Sequence, residues 1–136
     1  MIYGIGIDLC SIRRVQNIKD LNKFANKILT SGEIKHLDTL DQKNSVNYLA
    51  KQFAAKEALS KALGTGLIGD VKLNLIEIDR DQSGKPYIKM NDHMKTLLSK
   101  IGVNSTFVSL ADDSDFAVAT VIPVSYTHLR AHETAM

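Results

Sequence analysis

The sequence predicts one α+β domain in which a mainly antiparallel sheet packs on a long helix. Strand and helix patterns are mixed along the 136 residues without the regular alternation that builds a parallel sheet. Only residues 45–63 keep a helical periodicity long enough for an extended helix. Two pairs of strand patterns are each joined by a short polar turn, which is typical of antiparallel hairpins. The hydrophobic content of 44% suffices for a single core.

The composition argues against several classes of protein. Cys10 is the only cysteine, which rules out an internal disulfide, and no cysteines and histidines have zinc-finger spacing. No apolar run approaches the roughly 20 residues of a membrane helix, and the first residues lack the pattern of a signal peptide. A net charge of +2 and an aromatic content of 6% do not favour nucleic-acid binding. We therefore expect a cytoplasmic protein with no membrane or nucleic-acid partner.

Residues 1–9 alternate as a strand whose odd positions are apolar. The other face carries Gly4, Gly6 and then Asp8, so this carboxylate lies beside two missing side chains. Such a face leaves room for a ligand or for a closely packed backbone. The alternative is that Asp8 only begins the turn into a helix capped by Ser11.

Two short helical patterns follow, at 12–18 and 21–28, and their polar faces are basic. The basic residues are Arg13, Arg14, Lys19, Lys23 and Lys27. Most such faces are only solvated, but they also suit an acidic protein partner. Thr30 and Glu33 then have the spacing of a capping box, which predicts a third helix through Leu40.

The long helix predicted over 45–63 turns one apolar stripe inward, and Glu57 continues that stripe. A carboxylate in this position needs a partner, and Lys61, one turn later, is the candidate. An exposed Glu–Lys pair is the simpler interpretation. The small residues around Glu57 instead favour close approach of another backbone or a ligand, and with it a buried pair. These small residues are Ala54, Ala55, Ala58 and Ala62.

Gly64, Thr65 and Gly66 follow the long helix directly. The first glycine is most simply a helix C-terminal cap in the left-handed region. A bound phosphate is the alternative, but the carboxyl end of a helix has the wrong dipole sign for an anion. Lys61 would then have to supply the attraction.

The second half of the chain begins with a hairpin. Strands at 73–79 and 86–90 are joined by the turn 81–85, whose glycine suits a positive φ. The alternation slips between Leu75 and Ile76, which indicates a bulge.

A helix over 94–101, ended by Gly102, precedes a closing hairpin of strands at 106–110 and 116–122. The acidic turn at 112–115 lacks the spacing of a calcium loop and is interpreted as solvated. We assign the domain to residues 1–124. The remaining segment, 125–136, has no periodicity and resembles read-through from a cloning adaptor, so its histidines enter no site argument.

Six short motifs are spread in order over about residues 1–122. They are Ile5-Gly6-Ile7-Asp8, Ile28-Leu29-Thr30 followed by Glu33, Phe53-Ala54-Ala55-Lys56-Glu57-Ala58, Lys61-Ala62-Leu63-Gly64-Thr65-Gly66, Gly84-Lys85-Pro86 and Val108-Ser109-Leu110-Ala111-Asp112. Together they resemble the holo-acyl-carrier-protein synthases, a family of the 4'-phosphopantetheinyl transferase superfamily.

The resemblance implies transfer of the 4'-phosphopantetheine arm of coenzyme A to a serine of apo acyl carrier protein, with release of adenosine 3',5'-bisphosphate. It makes Asp8 and Glu57 the ligands of Mg²⁺, a hard ion that takes few carboxylates and completes its shell with waters and phosphate oxygens. Lys61 would neutralise charge on the diphosphate. The base for the serine proton would be Glu57 or a water on the metal. The implied coenzyme-binding residues are Lys61, Gly64, Thr65, Gly66 and Lys85.

The resemblance also implies two kinds of assembly. Members of the family are typically trimers with the site between subunits, and the carrier protein docks an acidic helix on a basic first helix. Arg14, Lys23 and Lys27 lie in that region of this chain. We therefore expect a homotrimer that binds acyl carrier protein.

Two positions depart from the family pattern. Gln52 stands where an arginine usually precedes the Phe-Ala motif, and Phe107 stands where a histidine is usual. Both family residues are associated with the 3'-phosphate of coenzyme A, so their loss predicts weaker discrimination against the dephospho form. The candidate replacements are Lys51, Lys56 and Lys85. A catalytically weakened carrier-binding module and a nucleic-acid-binding domain are the alternative functions.

Overall fold

A computed structural model describes residues 1–64, 67 and 69–126. The strands are β1 (Gly6–Ser11), β2 (Ile78–Arg80), β3 (Pro86–Ile88), β4 (Ser105–Asp112) and β5 (Phe116–Val124). The helices are α1 (Ile12–Gln16), α2 (Leu21–Ile28), α3 (Ser31–Leu37), α4 (Gln42–Leu63) and α5 (Asp92–Ser99). An antiparallel sheet packs on the long helix α4, which confirms the predicted fold class. Within the described ranges, no helix combines the length and the apolar character that crossing a membrane requires.

Polar side chains fix where the helices begin. The predicted capping box is confirmed, because Thr30 Oγ1 accepts a hydrogen bond from the Glu33 amide while Glu33 Oε1 accepts one from the Thr30 amide. The helix ends at Leu37 rather than at Leu40. Asp41 caps α4, because its side chain accepts a hydrogen bond from the Asn44 amide. Helix α4 therefore begins at Gln42, three residues before the predicted position 45.

The strand predicted over 73–79 is only partly correct. Leu73–Leu75 forms a short 3-10 helix, and β2 begins at Ile78. The Leu73 carbonyl accepts a hydrogen bond from the side chain of Lys56, and the Leu75 carbonyl accepts one from Asn91 Nδ2. The slip in alternation between Leu75 and Ile76 therefore marks the end of this 3-10 helix, whose carbonyls are hydrogen-bonded to side chains, and the predicted bulge in a strand is wrong.

The main sheet has the strand order β1-β5-β4, and both pairings are antiparallel. Asp8 of β1 and Leu110 of β4 both lie opposite Ala119 of the central strand. The β2-β3 hairpin forms a second, two-stranded sheet that packs next to β4. The hairpin and β1 are therefore on opposite edges of the main sheet.

The backbone of β1 lies directly on α4. A Cβ atom at Gly6 would overlap the Ala58 carbonyl oxygen, and a Cβ at Gly4 would overlap the Ala62 carbonyl oxygen. Ala58 is fully buried, so no side chain separates the two elements. The glycines and the small helix residues thus serve a closely packed backbone, one of the two alternatives predicted from the sequence.

The apolar odd positions of β1 point away from α4. Ile7 is 60% exposed and Leu9 is 62% exposed. Leu9 lies opposite Val118, and Val118 lies opposite Ala111, so the exposed row continues across the sheet. We call this surface the outer sheet face. Its residues are Ile5, which directly precedes β1, Ile7 and Leu9 of β1, Val118, Thr120 and Ile122 of β5, and Phe107, Ser109 and Ala111 of β4.

A buried ion pair ties the elements around α4 together. Lys56 is fully buried, and its Nζ donates to Glu33 Oε1 at 2.5 Å, to the Ile28 carbonyl at 2.6 Å and to the Leu73 carbonyl at 3.0 Å. Glu33 Oε2 accepts from the Ile78 amide. Burial lowers the pKa of Lys56, while the Glu33 carboxylate opposes that shift. One lysine therefore joins α4 to the end of α2, to α3 and to the 3-10 helix.

Two residues beyond the predicted domain boundary have hydrogen bonds in the structure. The Ser125 amide donates to the Met1 carbonyl, and the Tyr126 amide donates to Asn104 Oδ1. Residues 127–136 lie outside the described ranges, so the assignment of 125–136 as an adaptor-like tail stays a prediction.

We expect Lys56→Met to lower the free energy of unfolding by about 3–5 kcal/mol, because it leaves the Glu33 carboxylate buried without its cation. Urea titration at fixed protein concentration measures the change. Lys51→Met is the matched control, since its ion pair with Asp112 spans 3.7 Å and is partly exposed. The control should cost less than about 1 kcal/mol. Equal losses in the two variants would contradict the role given to Lys56.

Candidate active site

Asp8 and Lys61 form an ion pair across the contact between β1 and α4. Lys61 Nζ lies 2.7 Å from Asp8 Oδ1 and donates a second hydrogen bond, of 3.3 Å, to the Ile7 carbonyl. The Asp8 side chain is 16% exposed and the Lys61 side chain is 58% exposed. The hydrogen bond to Asp8 raises the pKa of Lys61. The buried Glu57–Lys61 pair favoured by the sequence is therefore wrong, because Lys61 pairs with Asp8 at the surface.

Glu57 is half-buried and lies within electrostatic reach of both partners. Burial raises the pKa of Glu57, the Asp8 carboxylate raises it further, and the Lys61 ammonium lowers it. Among the described residues, no hydrogen bond or ion pair involves the Glu57 side chain. The fold thus places two carboxylates and one ammonium group together, although Asp8 is far from the other two along the chain.

The donor set fits a hard divalent cation. The Asp8 carboxylate raises the pKa of Glu57, and a cation between the two carboxylates would stabilise both negative charges. Mg²⁺ is commonly held by one or two carboxylates with water and phosphate oxygens. The described part of the chain has no group of three or more His, Cys, Asp or Glu side chains suited to a metal. The described residues therefore form no metal site made of protein ligands alone. They are compatible with a site in which two carboxylates hold the ion and other ligands complete its shell.

The structure places the remaining predicted site residues unequally. Gly64 ends α4 with a φ of +89°, and a Cβ there would meet no atom of a described residue within 4 Å. Its conformation, rather than packing, requires glycine. Thr65 and Gly66 lie outside the described residues. Lys85 is exposed in the β2-β3 hairpin, at the sheet edge opposite β1, so a single chain does not bring Lys85 to Asp8.

A cavity of about 370 Å³ lies on the other side of α4, between α3, β2 and β4. Its lining combines polar and charged residues, several of them acidic. Asp112 pairs with Lys51 at 3.7 Å, and Glu77 pairs with Lys89 at 2.9 Å. Sequence reasoning did not identify this cavity, because its walls come from segments far apart along the chain.

Gln52 lies in the wall of this cavity and is almost fully buried. Its Nε2 donates to Glu33 Oε2 at 2.6 Å, to the Ile78 carbonyl at 3.2 Å and to the Tyr48 hydroxyl at 3.3 Å. Gln52 precedes Glu57 by five positions, which places the two side chains about 140° apart around the helix. The cavity and the carboxylate cluster therefore flank α4 on different sides.

Phe107 and Lys56, the other two positions relevant to binding of the 3'-phosphate, differ in accessibility. Phe107 is exposed on the outer sheet face, away from α4. Lys56 is enclosed by Glu33 and two carbonyl groups, so the prediction that it could replace a missing surface cation is wrong. Sequence reasoning missed the Lys56–Glu33 pair. The available signal was Glu33 in its capping box, which placed this carboxylate at a helix start but did not identify its partner.

The basic residues of the first two helices are exposed, as the amphipathic pattern predicted. Arg13 and Arg14 lie on α1, and Lys23 and Lys27 lie on α2. We call these four residues the basic surface. Helix α1 begins directly after β1, the strand that carries Asp8. The basic surface is therefore connected by a few residues to the carboxylate cluster.

Comparison with known proteins gives one consistent result. The family model described as the 4'-phosphopantetheinyl transferase superfamily matches residues 4–121. A holo-acyl-carrier-protein synthase of Buchnera aphidicola subsp. Baizongia pistaciae is 41% identical over 124 residues, which cover 89% of this chain and 96% of the relative.

Solved structures agree. The holo-acyl-carrier-protein synthase of Neisseria meningitidis superposes with a TM-score of 0.83 at 38% identity, covering 92% of this chain and 100% of that one. The enzyme of Bacillus anthracis, solved in complex with coenzyme A (3',5'-ADP), gives a TM-score of 0.77 at 35% identity, covering 93% and 99%.

Proposed function

This chain belongs to the 4'-phosphopantetheinyl transferase superfamily, and we propose that it acts at the cluster of Asp8, Glu57 and Lys61. The reaction transfers 4'-phosphopantetheine from coenzyme A to a serine of apo acyl carrier protein and releases adenosine 3',5'-bisphosphate. The observation that supports the site is the convergence of two carboxylates and an ammonium group where β1 crosses α4. Such a cluster suits a diphosphate held through a divalent cation.

Asp8 and Glu57 are the residues that would hold Mg²⁺. When bound, the ion supplies positive charge to the phosphate oxygens. Lys61 is mostly exposed and sits on the same side of the helix, so its ammonium can reach an anion in solution and neutralise charge that develops on the diphosphate. No described residue would come within 4 Å of a Cβ at Gly64, which is compatible with a ligand that approaches the backbone at the end of α4. We assign Thr65 and Gly66 to coenzyme binding from the family resemblance.

The serine of the carrier must lose its proton as it attacks the phosphorus. Glu57 is the carboxylate of the pair that makes no hydrogen bond to another described residue, so its oxygen is placed to accept that proton. Asp8, by contrast, already accepts from Lys61. We therefore assign the proton transfer to Glu57 and the neutralisation of Asp8 to Lys61.

The basic surface is the proposed docking site for the acyl carrier protein. Lys23 and Lys27 are exposed on one helix and Arg14 on the preceding one, which suits an acidic partner helix. Because α1 follows β1 directly, a carrier bound there lies close to Asp8. We place the reaction in the cytoplasm, in agreement with a chain whose single cysteine, Cys10, is a free and buried thiol.

The outer sheet face is the proposed contact between copies of the chain. It presents large apolar side chains, such as those of Ile5 and Leu9, that a lone subunit leaves in water. The cavity beside Gln52 and the hairpin that carries Lys85 lie away from Asp8 within one subunit. A homotrimer with sites between subunits would let these surfaces serve the Asp8 cluster of a neighbour.

We propose that the cavity receives the nucleotide end of coenzyme A. The resemblance associates the Gln52 position with the 3'-phosphate, and Gln52 lines the cavity as a neutral side chain with its amide nitrogen already bonded inside the protein. Lys51 in the lining is paired with Asp112, so Arg80, which is exposed, is the lining arginine or lysine left without a carboxylate partner among the described residues. Discrimination in favour of the 3'-phosphate should therefore be weak.

We expect Asp8→Asn and Glu57→Gln each to lower the transfer rate by about a hundredfold or more. Each change removes a negative charge that would hold the metal ion, and the metal would supply the positive charge that stabilises the diphosphate. Mass spectrometry of apo carrier incubated with coenzyme A and Mg²⁺ measures the phosphopantetheine gained. The exposed Asp38→Asn is the control and should keep the parent rate. Full activity of both site variants would refute the site. A parent chain that binds carrier without turnover would instead indicate a carrier-binding module.

Leu9→Lys should dissociate the assembly into monomers, because it puts a charge into the apolar contact. Sedimentation velocity measures the mass in solution. Leu75→Lys is the matched control, since Leu75 is also an exposed leucine but lies outside the outer sheet face. A parent protein that sediments as a monomer, or a Leu9→Lys variant with unchanged mass, would argue against the proposed interface.

Gln52→Arg should raise the preference for coenzyme A over its 3'-dephospho form by about tenfold, because a charge-assisted hydrogen bond to the phosphate contributes about 1.5–3 kcal/mol. The ratio of the two kcat/KM values gives the preference. Gln16→Arg, an exposed change on α1, should leave the ratio unchanged. A parent enzyme that already discriminates as strongly as the Gln52→Arg variant would contradict this explanation.

A further inference from the structure

Lys61 forms its ion pair with Asp8 and not with Glu57. Glu57 lies four residues earlier on the same helix, which is the usual spacing for a Glu–Lys pair, yet the ammonium of Lys61 contacts β1 instead. Both of its hydrogen bonds go to that strand, one to Asp8 Oδ1 and one to the Ile7 carbonyl. The ammonium therefore occupies one oxygen of a carboxylate that the proposed function assigns to a metal.

We propose that Lys61 is a built-in counter-cation for Asp8, which neutralises this carboxylate until a divalent cation binds and then releases Lys61 towards the phosphate groups. This inference rests on the proposed metal site. It adds a competition, because the Lys61 ammonium, paired with Asp8 Oδ1, repels a second cation that approaches the same carboxylate. It also adds a change of partner for Lys61 that accompanies metal binding.

The exposure of Lys61 makes such an exchange feasible. Its side chain is mostly in water, and an ion pair of this kind is weak, so breaking the pair costs little. Lys56 provides the contrast within the same helix, since it is fully buried and donates to three acceptors. Lys56 is therefore held in place by burial and three acceptors, whereas Lys61 is held only by its two hydrogen bonds to β1.

The charges around Asp8 explain why a counter-cation is useful. Asp8 is largely shielded from water, and the neighbouring carboxylate of Glu57 repels it. Without a cation, two carboxylates in this position would oppose the close packing of β1 on α4. Lys61 supplies one positive charge there, and a divalent ion supplies two, so the metal can replace the ammonium with a net gain in attraction.

Mn²⁺ binding, measured by isothermal titration, gives the first test. If Lys61 competes with the metal, Lys61→Met should bind Mn²⁺ about 1.5-fold to fivefold more tightly than the parent, the range expected for loss of a weak ion pair. Lys100→Met is the control, because Lys100 is also an exposed lysine in an ion pair, although its partner Asp70, at 3.2 Å, is more exposed than Asp8. The control should bind as the parent does. Equal or weaker binding by Lys61→Met would overturn the inference.

A second measurement separates competition at Asp8 from general charge repulsion. The NMR signals of the methylene group next to the Lys61 ammonium, assigned with Lys61→Arg, report whether the Asp8 contact is present. Metal-free Asp8→Asn gives the signal position of a released lysine. Saturating the parent with Mg²⁺ should shift the Lys61 signals towards that position. Signals that stay at the metal-free position after saturation would overturn the inference.

The same data distinguish failure of this inference from failure of the proposed function. Mn²⁺ that binds the parent but not Asp8→Asn or Glu57→Gln supports the metal site, and the Lys61 readouts then decide the counter-cation alone. Mn²⁺ that does not bind the parent, or that binds all three proteins equally, would overturn the metal site and the counter-cation together.

Discussion

The contact between the backbone of β1 and the backbone of α4 is the constraint on which the rest of the structure depends. Gly4 and Gly6 allow it on the strand, and Ala58 and Ala62 allow it on the helix, because a Cβ on either glycine would overlap a helix carbonyl. A larger residue would push the strand outward by the width of a side chain. Asp8, on the same face of the strand, would then leave the neighbourhood of Lys61. The close contact between β1 and α4 is therefore needed both for the packing of the core and for the position of Asp8 beside Lys61.

Two lysines of α4 differ in burial and in the ion pairs they form. Lys56 is enclosed by three acceptors and anchors the elements on one side of the helix. Lys61, five positions later, pairs with the largely shielded carboxylate of Asp8 and itself remains in contact with water. A buried ion pair loses much when one partner is removed, whereas an exposed pair can exchange partners. The first is suited to holding the fold and the second to meeting a ligand.

The surfaces to which we assign functions face in different directions. The carboxylate cluster lies at β1, the cavity lies beyond α4 near β4, and the outer sheet face is apolar and exposed. A single subunit cannot join the first two, because α4 and the sheet stand between them. An assembly through the apolar face is the physical arrangement that would bury it while bringing surfaces of different subunits together.

The sequence by itself determined the local structure and the membership of a family. Capping residues such as Thr30, the strand alternation before Asp8 and the long pattern ending at Gly64 follow from interactions between neighbours in the chain, so they are readable without the fold. The ion pairs were decided only by the tertiary structure. Spacing along a helix favoured Glu57 as the partner of Lys61, but the approach of β1 offered Asp8 at 2.7 Å, and no local pattern encodes which strand reaches a given turn of helix. The burial of Lys56 against Glu33 and the cavity beside Gln52 were hidden for the same reason, since each depends on segments brought together across the chain.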